Sequence, residues 1–367
     1  MTKLVSMTPA VFHLPEAVNA VTRSYGEAPI VPRGPQLAPL LEGVRRGIVE
    51  ALDAPDHEAV MLTGTGSTAM AAVLGSCLHS DERLLVVRNG AYGDRLLEFA
   101  RRLDQPLVDL EAPYGERPDL ERIEALCRAG DVDAVAVVYG GTSTCTVNPV
   151  AEIAAITRRY DKKLFIDGVS ALFVEPFDFR GWGVAAVMGS CNKGLHSHPN
   201  LTCAIVQREL LAEMERIPQR VPSLELYPTW RKQLGGAHPY TIDPLSLCQV
   251  RAALEALAAE GGVSGRHATY QARCEILREG YERLGLRIAR WEGMALSSIG
   301  TALHIPEGTS YDAMASRLAA EPVEGHAFAI YSAQGKLSDT LFRVFHMGDY
   351  PLETYATFLR ALERVLP

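Results

Sequence analysis

Short apolar runs alternate with amphipathic stretches from about residue 58 to about residue 206. The apolar runs predict buried strands, and the stretches between them predict helices. Strands that alternate with helices are typical of an α/β fold with a doubly wound, mostly parallel sheet. The predicted strands are residues 84–87, 134–139, 164–166, 184–188 and 204–206, and the predicted helices are residues 68–77, 94–103, 119–129 and 150–160.

Past Pro244 the pattern changes to one of long helices and separated strands. Long helices are predicted at 245–260 and 264–284, with Gly261 and Gly262 between them. This second part has an α+β layout, and the length of the chain also favours more than one domain. We therefore expect an N-terminal arm (1–20), a large domain (21–245) and a smaller C-terminal domain (246–367) that includes a bridging helix. Its strands are predicted at 286–291, 301–305, 328–331 and 341–345, and its further helices at 311–320 and 352–366.

Composition narrows the classes of partner. The 367 residues carry a formal net charge of −8 without a basic block, which argues against nucleic acid as a partner. The N-terminus lacks the layout of a signal peptide and no apolar run approaches ~18 residues, so we expect no membrane partner and a cytoplasmic location. Seven scattered cysteines without a CxxC pair indicate reduced thiols.

Two residues at predicted strand exits point to a particular chemistry. Asp167 ends a short apolar strand, and Lys193 lies 26 residues further along, after another predicted strand. Most strand-end aspartates are caps and most lysines are solvated, so neither residue alone is informative. Pyridoxal 5′-phosphate (PLP) chemistry needs both: a lysine that forms a Schiff base, and an acid that keeps the pyridine nitrogen protonated. The ordered pair therefore predicts a PLP site.

Further polar turns follow neighbouring strands. Thr65, Gly66 and Ser67 precede a predicted helix, where backbone N–H groups and the helix dipole favour a phosphate, although a simple capped helix is the alternative. The turn matches neither a Walker motif nor GxGxxG. Tyr92 stands between two glycines after a strand and could lie flat on a cofactor ring or simply pack in a turn. Thr142, after the next strand, could offer its hydroxyl to a ring oxygen.

Five segments carry a resemblance to a known family. They are residues 89–95 (NGAYGDR), 142–149, 223–231 (SLELYPTWR), 260–270 (EGGVSGRHATY) and 341–343 (LFR). With these segments, and nearly end to end, the chain resembles the class V aminotransferases. Within that class it is most similar to the enzymes that exchange an amino group between 2-aminoethylphosphonate and pyruvate. The resemblance implies a fold-type-I PLP-dependent transferase that uses a small amine or amino acid as donor.

The resemblance also implies roles for individual residues. Lys193 would hold the cofactor, Asp167 would face the pyridine nitrogen, Tyr92 would stack on the ring and Thr142 would lie near the ring hydroxyl. Arg343 would clamp a substrate carboxylate, a role that suits a forked guanidinium. The phosphate would be held by Thr65, Gly66, Ser67 and Asn192, with Thr241 supplied by the neighbouring subunit of a homodimer.

The chain departs from that family around the substrate. Residues 8–11 read TPAV where the family has Thr-Pro-Gly-Pro, Gly141 replaces a glutamate, and Cys145 replaces the glycine that closes the turn. Residues 238–240 (HPY) replace Trp-Arg-Phe, and residues 194–198 (GLHSH) replace an uncharged segment. The sequence therefore predicts a retained PLP apparatus but does not identify the amino donor.

Other interpretations remain open from the sequence. One is another class V enzyme, such as a serine- or alanine–glyoxylate aminotransferase, a lyase, or a desulfurase using Cys145 or Cys191. A nucleotide-binding module built on the turn at 64–67 is a second, although it leaves Lys193 and Asp167 unexplained. His196 and His198 could share one face as metal ligands, but no third ligand is nearby. We therefore expect loop or substrate contacts from them and no metal.

Overall fold

The computed structural model describes residues 2–9, 13–218 and 220–367 of the chain. Within these residues no helix is both long and apolar enough to cross a bilayer. The strands are β1 (Lys3–Ser6), β2 (His57–Thr63), β3 (Leu84–Arg88), β4 (Leu107–Glu111), β5 (Ala134–Val138), β6 (Gly140–Gly141), β7 (Thr146–Val147), β8 (Lys163–Asp167), β9 (Ala186–Met188), β10 (Leu201–Gln207), β11 (Ala295–Leu296), β12 (Gly300–His304), β13 (His326–Ala329), β14 (Tyr331–Ser332) and β15 (Leu341–Phe345). The helices are α1 (Glu16–Ser24), α2 (Leu37–Ala51), α3 (Gly66–Ser76), α4 (Ala91–Arg102), α5 (Leu120–Ala129), α6 (Val150–Arg159), α7 (Phe179–Trp182), α8 (Arg208–Glu213), α9 (Leu226–Leu234), α10 (Pro244–Ala259), α11 (Gly262–Arg283), α12 (Tyr311–Ala320) and α13 (Glu353–Val365).

A seven-stranded sheet forms the centre of the molecule, in the order β2-β10-β9-β8-β5-β3-β4. The five strands from β9 to β4 pair in parallel, whereas β10 runs antiparallel to both of its neighbours. The predicted α/β class with a mostly parallel sheet is therefore confirmed. Parallel strands bring their carboxyl ends to one edge of the sheet, which is where ligands bind in such folds.

Both faces of this sheet are covered, as the near-continuous apolar strands require. In β5, Val135 and Val137 belong to one apolar cluster, and Ala134 and Ala136 belong to a second cluster on the opposite face. The first cluster includes buried side chains of α2, α5, α6 and α10, and the second includes those of α3, α4 and α8. The sheet is thus doubly wound, and its strands lie between two layers of helix.

The C-terminal part contains a three-stranded antiparallel sheet in the order β12-β15-β14. Arg343 lies in its middle strand, opposite Ala302 on one side and Tyr331 on the other. A third apolar cluster packs α11, α12 and α13 against these strands. The predicted α+β layout is present, while the domain boundary at residue 245 stays a prediction.

The structure differs from the sequence pattern in several places. The strand predicted at 286–291 is reduced to an isolated bridge between Ile288 and Leu303, because a turn at Trp291–Met294 ends the pairing. The pattern also missed β2, β4, α1 and α2. Of the predicted arm, residues 1 and 10–12 lie outside the described residues. In the remainder, β1 pairs in parallel with β13.

Candidate active site

A cleft of about 570 Å³ opens at the carboxyl edge of the seven-stranded sheet. Seven of the residues predicted from the sequence line it: Thr65, Gly66, Ser67, Tyr92, Asp167, Asn192 and Lys193. They lie at or just after the carboxyl ends of β2, β3, β8 and β9, so the sheet topology has brought them together. The cleft also contains four residues that the sequence reasoning missed, Met70, Arg95, Val169 and Ser190.

In the turn after β2, the backbone of Gly64 packs closely against the side chain of Thr68 in the first turn of α3. Gly64 has φ +138°, a conformation that favours glycine, and a Cβ there would lie 2.2 Å from Thr68 Oγ1. Thr65 caps the helix, and its backbone N–H donates to Thr68 Oγ1 at 3.1 Å. The first turn of the helix therefore points at the cleft with the positive end of its dipole, as an anion site requires.

Asp167 lies at the end of β8 and is only 3% exposed. Burial raises its pKa to about 6, although the Val169 N–H donates to Oδ1 at 3.0 Å and thereby favours the charged form. Arg95 and Lys193 also favour the ionised carboxyl electrostatically. A buried carboxylate among cations is suited to hold a proton on a ring nitrogen.

Lys193 lies in the turn that follows β9, where the His196 N–H donates to the Lys193 carbonyl at 3.0 Å. Burial, assisted by the nearby charge of Arg343, lowers the pKa of Lys193 to about 8. Its Nζ donates to the carbonyl of Pro9, so the N-terminal segment reaches the site. A lysine with this pKa has a substantial neutral fraction near pH 8, as a nucleophile or base requires.

Tyr92 stands at the start of α4 and lines the cleft with a half-buried ring. The Arg95 guanidinium lies over this ring, with Cζ 4.9 Å from the centroid, and Nη1 donates to Ser67 Oγ at 3.1 Å. Arg95 follows Tyr92 by three residues on α4 and so shares its face, but the helix predicted from the sequence begins at residue 94 and leaves Tyr92 out.

Arg343 is fully buried in β15, close enough to influence Lys193 electrostatically. Its Nε donates to the Ser332 carbonyl at 2.9 Å, and Nη1 donates to the Thr142 carbonyl. The guanidinium also lies over the Tyr331 ring, with Cζ 4.7 Å from the centroid. Across the described residues no carboxylate forms an ion pair with Arg343. A buried positive charge without a carboxylate is costly unless a ligand supplies one.

Three predicted residues, Arg343, Thr142 and Thr241, do not line the cleft. Thr142 is buried, and its carbonyl accepts a hydrogen bond from Arg343. Thr241 is exposed just before α10. A role of the Thr142 hydroxyl at the cofactor ring therefore stays a prediction, as does a role of Thr241 in a neighbouring subunit.

His196 also lies outside the cleft lining. It is buried, has φ +59°, and its Nε2 is 2.6 Å from the Tyr270 hydroxyl. This contact links the Lys193 turn to α11. Among the described residues no cluster of His, Cys, Asp and Glu side chains could hold a metal ion.

The side chains of the cleft fit PLP on their chemistry. Hydroxyls, an amide and a helix N-terminus supply donors for the phosphate, Asp167 supplies the buried acid, and Lys193 supplies the amine. These are the groups that PLP enzymes must provide around the cofactor.

Comparisons with known proteins agree with this site. The sequence profile of the aminotransferase class-V family matches residues 16–221. The 2-aminoethylphosphonate–pyruvate transaminase of Aeromonas hydrophila subsp. hydrophila is 32% identical over 322 residues, covering 84% of this chain and 82% of that protein. The transaminase of the same name from Klebsiella pneumoniae subsp. pneumoniae is 29% identical, covering 89% of each chain. The crystal structure of a subgroup IV aspartate aminotransferase from Thermus thermophilus superposes with a TM-score of 0.87 over 99% of each chain at 24% identity, which supports the fold alone.

Proposed function

Because this chain belongs to the class V aminotransferase family, we propose that it moves the amino group of 2-aminoethylphosphonate, or of a related aminophosphonate, to pyruvate. Membership of the family confirms the resemblance found in the sequence, and with it PLP as the cofactor and transamination as the reaction. The substrate pair is supported by the names of the relatives and by the charges of the site.

The observation that carries the proposal is the buried guanidinium of Arg343, whose charge acts on Lys193. Its three hydrogen bonds among the described residues go to neutral carbonyls, so no carboxylate there neutralises its charge, and we propose that an anionic substrate does. Pyruvate offers a carboxylate that a guanidinium can bind through two parallel hydrogen bonds. An aminophosphonate offers a phosphonate to the same group. One clamp can therefore serve both halves of the reaction.

The proposed roles of the other residues follow from their positions. Bound PLP supplies an electron sink that makes the proton beside the substrate nitrogen removable. Lys193, with its lowered pKa, removes that proton at Nζ and returns it to a different carbon. Asp167 keeps a proton on the ring nitrogen, and Tyr92 supports the ring. The donor leaves as an aldehyde, and pyruvate then takes up the amino group to become alanine.

We propose a homodimer with shared sites. Thr241 is exposed, and the segment just before it carries the exposed apolar side chains of Leu234 and Tyr240. Exposed apolar groups close together are typical of interaction surfaces. A second copy on this segment would cover them and could bring Thr241 to the partner's cofactor phosphate. The seven buried, free cysteines support a reducing compartment such as the cytoplasm.

The thiols disfavour a desulfurase. Cys145 and Cys191 are both buried, and burial raises the pKa of Cys145 to about 12. Reactive thiols are instead partly exposed and have lowered pKa values. A different amino donor is the stronger alternative, because residues 141, 145 and 194–198 depart from the family pattern.

A panel of amino donors tests the proposal directly. The purified enzyme with PLP and pyruvate would be given 2-aminoethylphosphonate, serine, alanine with glyoxylate, and taurine, whose sulfonate matches the phosphonate in shape. Amino acid products would be measured by chromatography. We expect 2-aminoethylphosphonate to give the highest kcat/KM. If serine, or alanine with glyoxylate, were turned over more than tenfold faster under the same conditions, the proposed substrate pair would be wrong.

A further inference from the structure

A second arginine, Arg95, lies in the cleft beside the start of α3. Its Nη1 donates to Ser67 Oγ at 3.1 Å, and its guanidinium is stacked on Tyr92. It also favours the ionised form of Asp167 electrostatically. Arg95 is thus a cation that reaches the same group of hydroxyls and backbone N–H groups that was predicted to hold a phosphate.

Arg95 forms no ion pair with a carboxylate in the described parts of the chain, although the charge of Asp167 lies close enough to interact with it. Arg88, the last residue of β3 just before α4, shows the opposite arrangement. It contacts Asp94 at 2.9 Å, Asp109 at 2.6 Å and Glu111 at 2.7 Å. Three acidic residues of this region are therefore gathered around Arg88, whereas the half-buried Arg95 contacts a neutral hydroxyl and a ring.

We propose that Arg95 supplies the positive charge that binds the phosphate of the cofactor. The proposal rests on the proposed function. The other groups at this place, the hydroxyls of Thr65 and Ser67 and the first turn of α3, carry no full charge. A phosphate monoester carries about −1.5 to −2 charges near pH 7. A guanidinium matches its oxygens through parallel hydrogen bonds, and a helix N-terminus alone offers only part of a charge.

A merely structural role is the competing explanation. Arg95 stacks on Tyr92, so its loss could displace the ring that supports the cofactor. The two roles predict different effects of substitution. If Arg95 binds the phosphate, its loss weakens the binding of a phosphorylated cofactor alone; if it positions Tyr92, its loss also weakens the binding of a cofactor without the phosphate. Pyridoxal, which has the aldehyde and ring of PLP but lacks the phosphate, separates them.

The experiment compares the affinities of PLP and pyridoxal for the full-length enzyme after its cofactor has been removed. The variants are Arg95→Gln, Arg95→Lys and the control Arg102→Gln. Arg102 lies on the same helix but on its exposed face, paired with Glu98 at 2.7 Å. Affinity is measured by absorbance titration, covalent attachment at Lys193 by borohydride reduction and mass spectrometry, and folding by thermal melting.

We expect Arg95→Gln to weaken PLP binding by about 10- to 100-fold, the range for losing a hydrogen bond to a charged group. Pyridoxal binding should change by less than about threefold, and Arg95→Lys should recover part of the PLP affinity. Equal weakening of PLP and pyridoxal, or no weakening of either, would overturn the proposal. If Arg95→Gln does not fold, the ratio of the two affinities in Arg95→Lys decides. Failure of the unaltered enzyme to label at Lys193 with either compound would refute the PLP site itself.

Discussion

The two parts of the active site differ in how the fold builds them. The cofactor part collects side chains from the strand exits of the seven-stranded sheet, where Asp167 and Lys193 lie. The proposed substrate part depends on Arg343, from the middle of an antiparallel strand in a separate sheet. The cofactor part therefore follows from parallel topology, whereas the substrate part requires a second sheet to pack against it. Changes in one part should be separable from changes in the other.

Removal of the Lys193 amine should have the largest effect, and that effect should be confined to the cofactor part of the site. Lys193→Ala is expected to abolish covalent attachment of PLP, because Lys193 is the lysine that lines the cleft and has a lowered pKa. Attachment is measured by borohydride reduction followed by peptide mass spectrometry. The exposed Lys336→Ala serves as the control and should label fully. Full labelling of Lys193→Ala at another lysine would contradict the assignment.

Removal of the Arg343 guanidinium should weaken the reaction with substrates and leave the covalent attachment of PLP intact. Arg343→Ala is expected to lower kcat/KM by roughly 30- to 1000-fold, equivalent to ~2–4 kcal/mol for a lost charged hydrogen-bonding partner. Arg343→Lys should recover only part, because an ammonium cannot bind in a forked way. Single-turnover kinetics of each half-reaction gives the values, and thermal melting checks the fold. Unchanged rates with both the donor and pyruvate would refute the clamp.

The pH dependence of attachment measures how strongly the two parts are coupled. A lowered pKa means that the neutral, reactive amine of Lys193 is already half populated near pH 8, instead of near 10.5. The rate of PLP attachment should therefore rise about tenfold per pH unit below this value and level off above it. Arg343→Gln should move the midpoint upward, because it removes a positive charge that disfavours the charged amine. Stopped-flow absorbance between pH 6 and 10 tests this, and a rate still rising steeply from pH 9 to 10 would contradict it.

The sequence was most informative where local pattern and chemistry coincide. Asp167 and Lys193 could be identified because each ends or follows an apolar run, and the parallel sheet then places such exits together. Residue 145 was also marked, since cysteine stands where the similar family has glycine. The structure gives Cys145 φ +56°, a conformation that favours glycine.

The parts that escaped the sequence depend on contacts between distant segments. Arg343 donates to the carbonyls of Thr142 and Ser332. Thr142 is distant in the sequence, so no local pattern predicts its contact with Arg343. Arg95 looked like an ordinary charged residue of an amphipathic helix until the fold placed it on Ser67. The strand predicted at 286–291 was lost because a turn, rather than its apolar content, decided the pairing.

The smallest expected effect concerns a residue that belongs to neither part within one chain. Thr241 is exposed and outside the cleft, and in the proposed homodimer its hydroxyl donates to the phosphate in the partner subunit. Thr241→Val should weaken PLP binding by about 2- to 10-fold, the usual value of one net hydrogen bond. A dimer that mixes two variants shows which chain's phosphate site the Thr241 hydroxyl contacts.

In a mixed dimer of Thr241→Val and Lys193→Ala chains, the site that retains Lys193 receives an intact Thr241 from the other chain. Titration of the mixed dimers should therefore recover the affinity of the unaltered enzyme in half of the sites. If the affinity stays at that of Thr241→Val, the threonine serves its own chain or none, and sharing of the site is excluded.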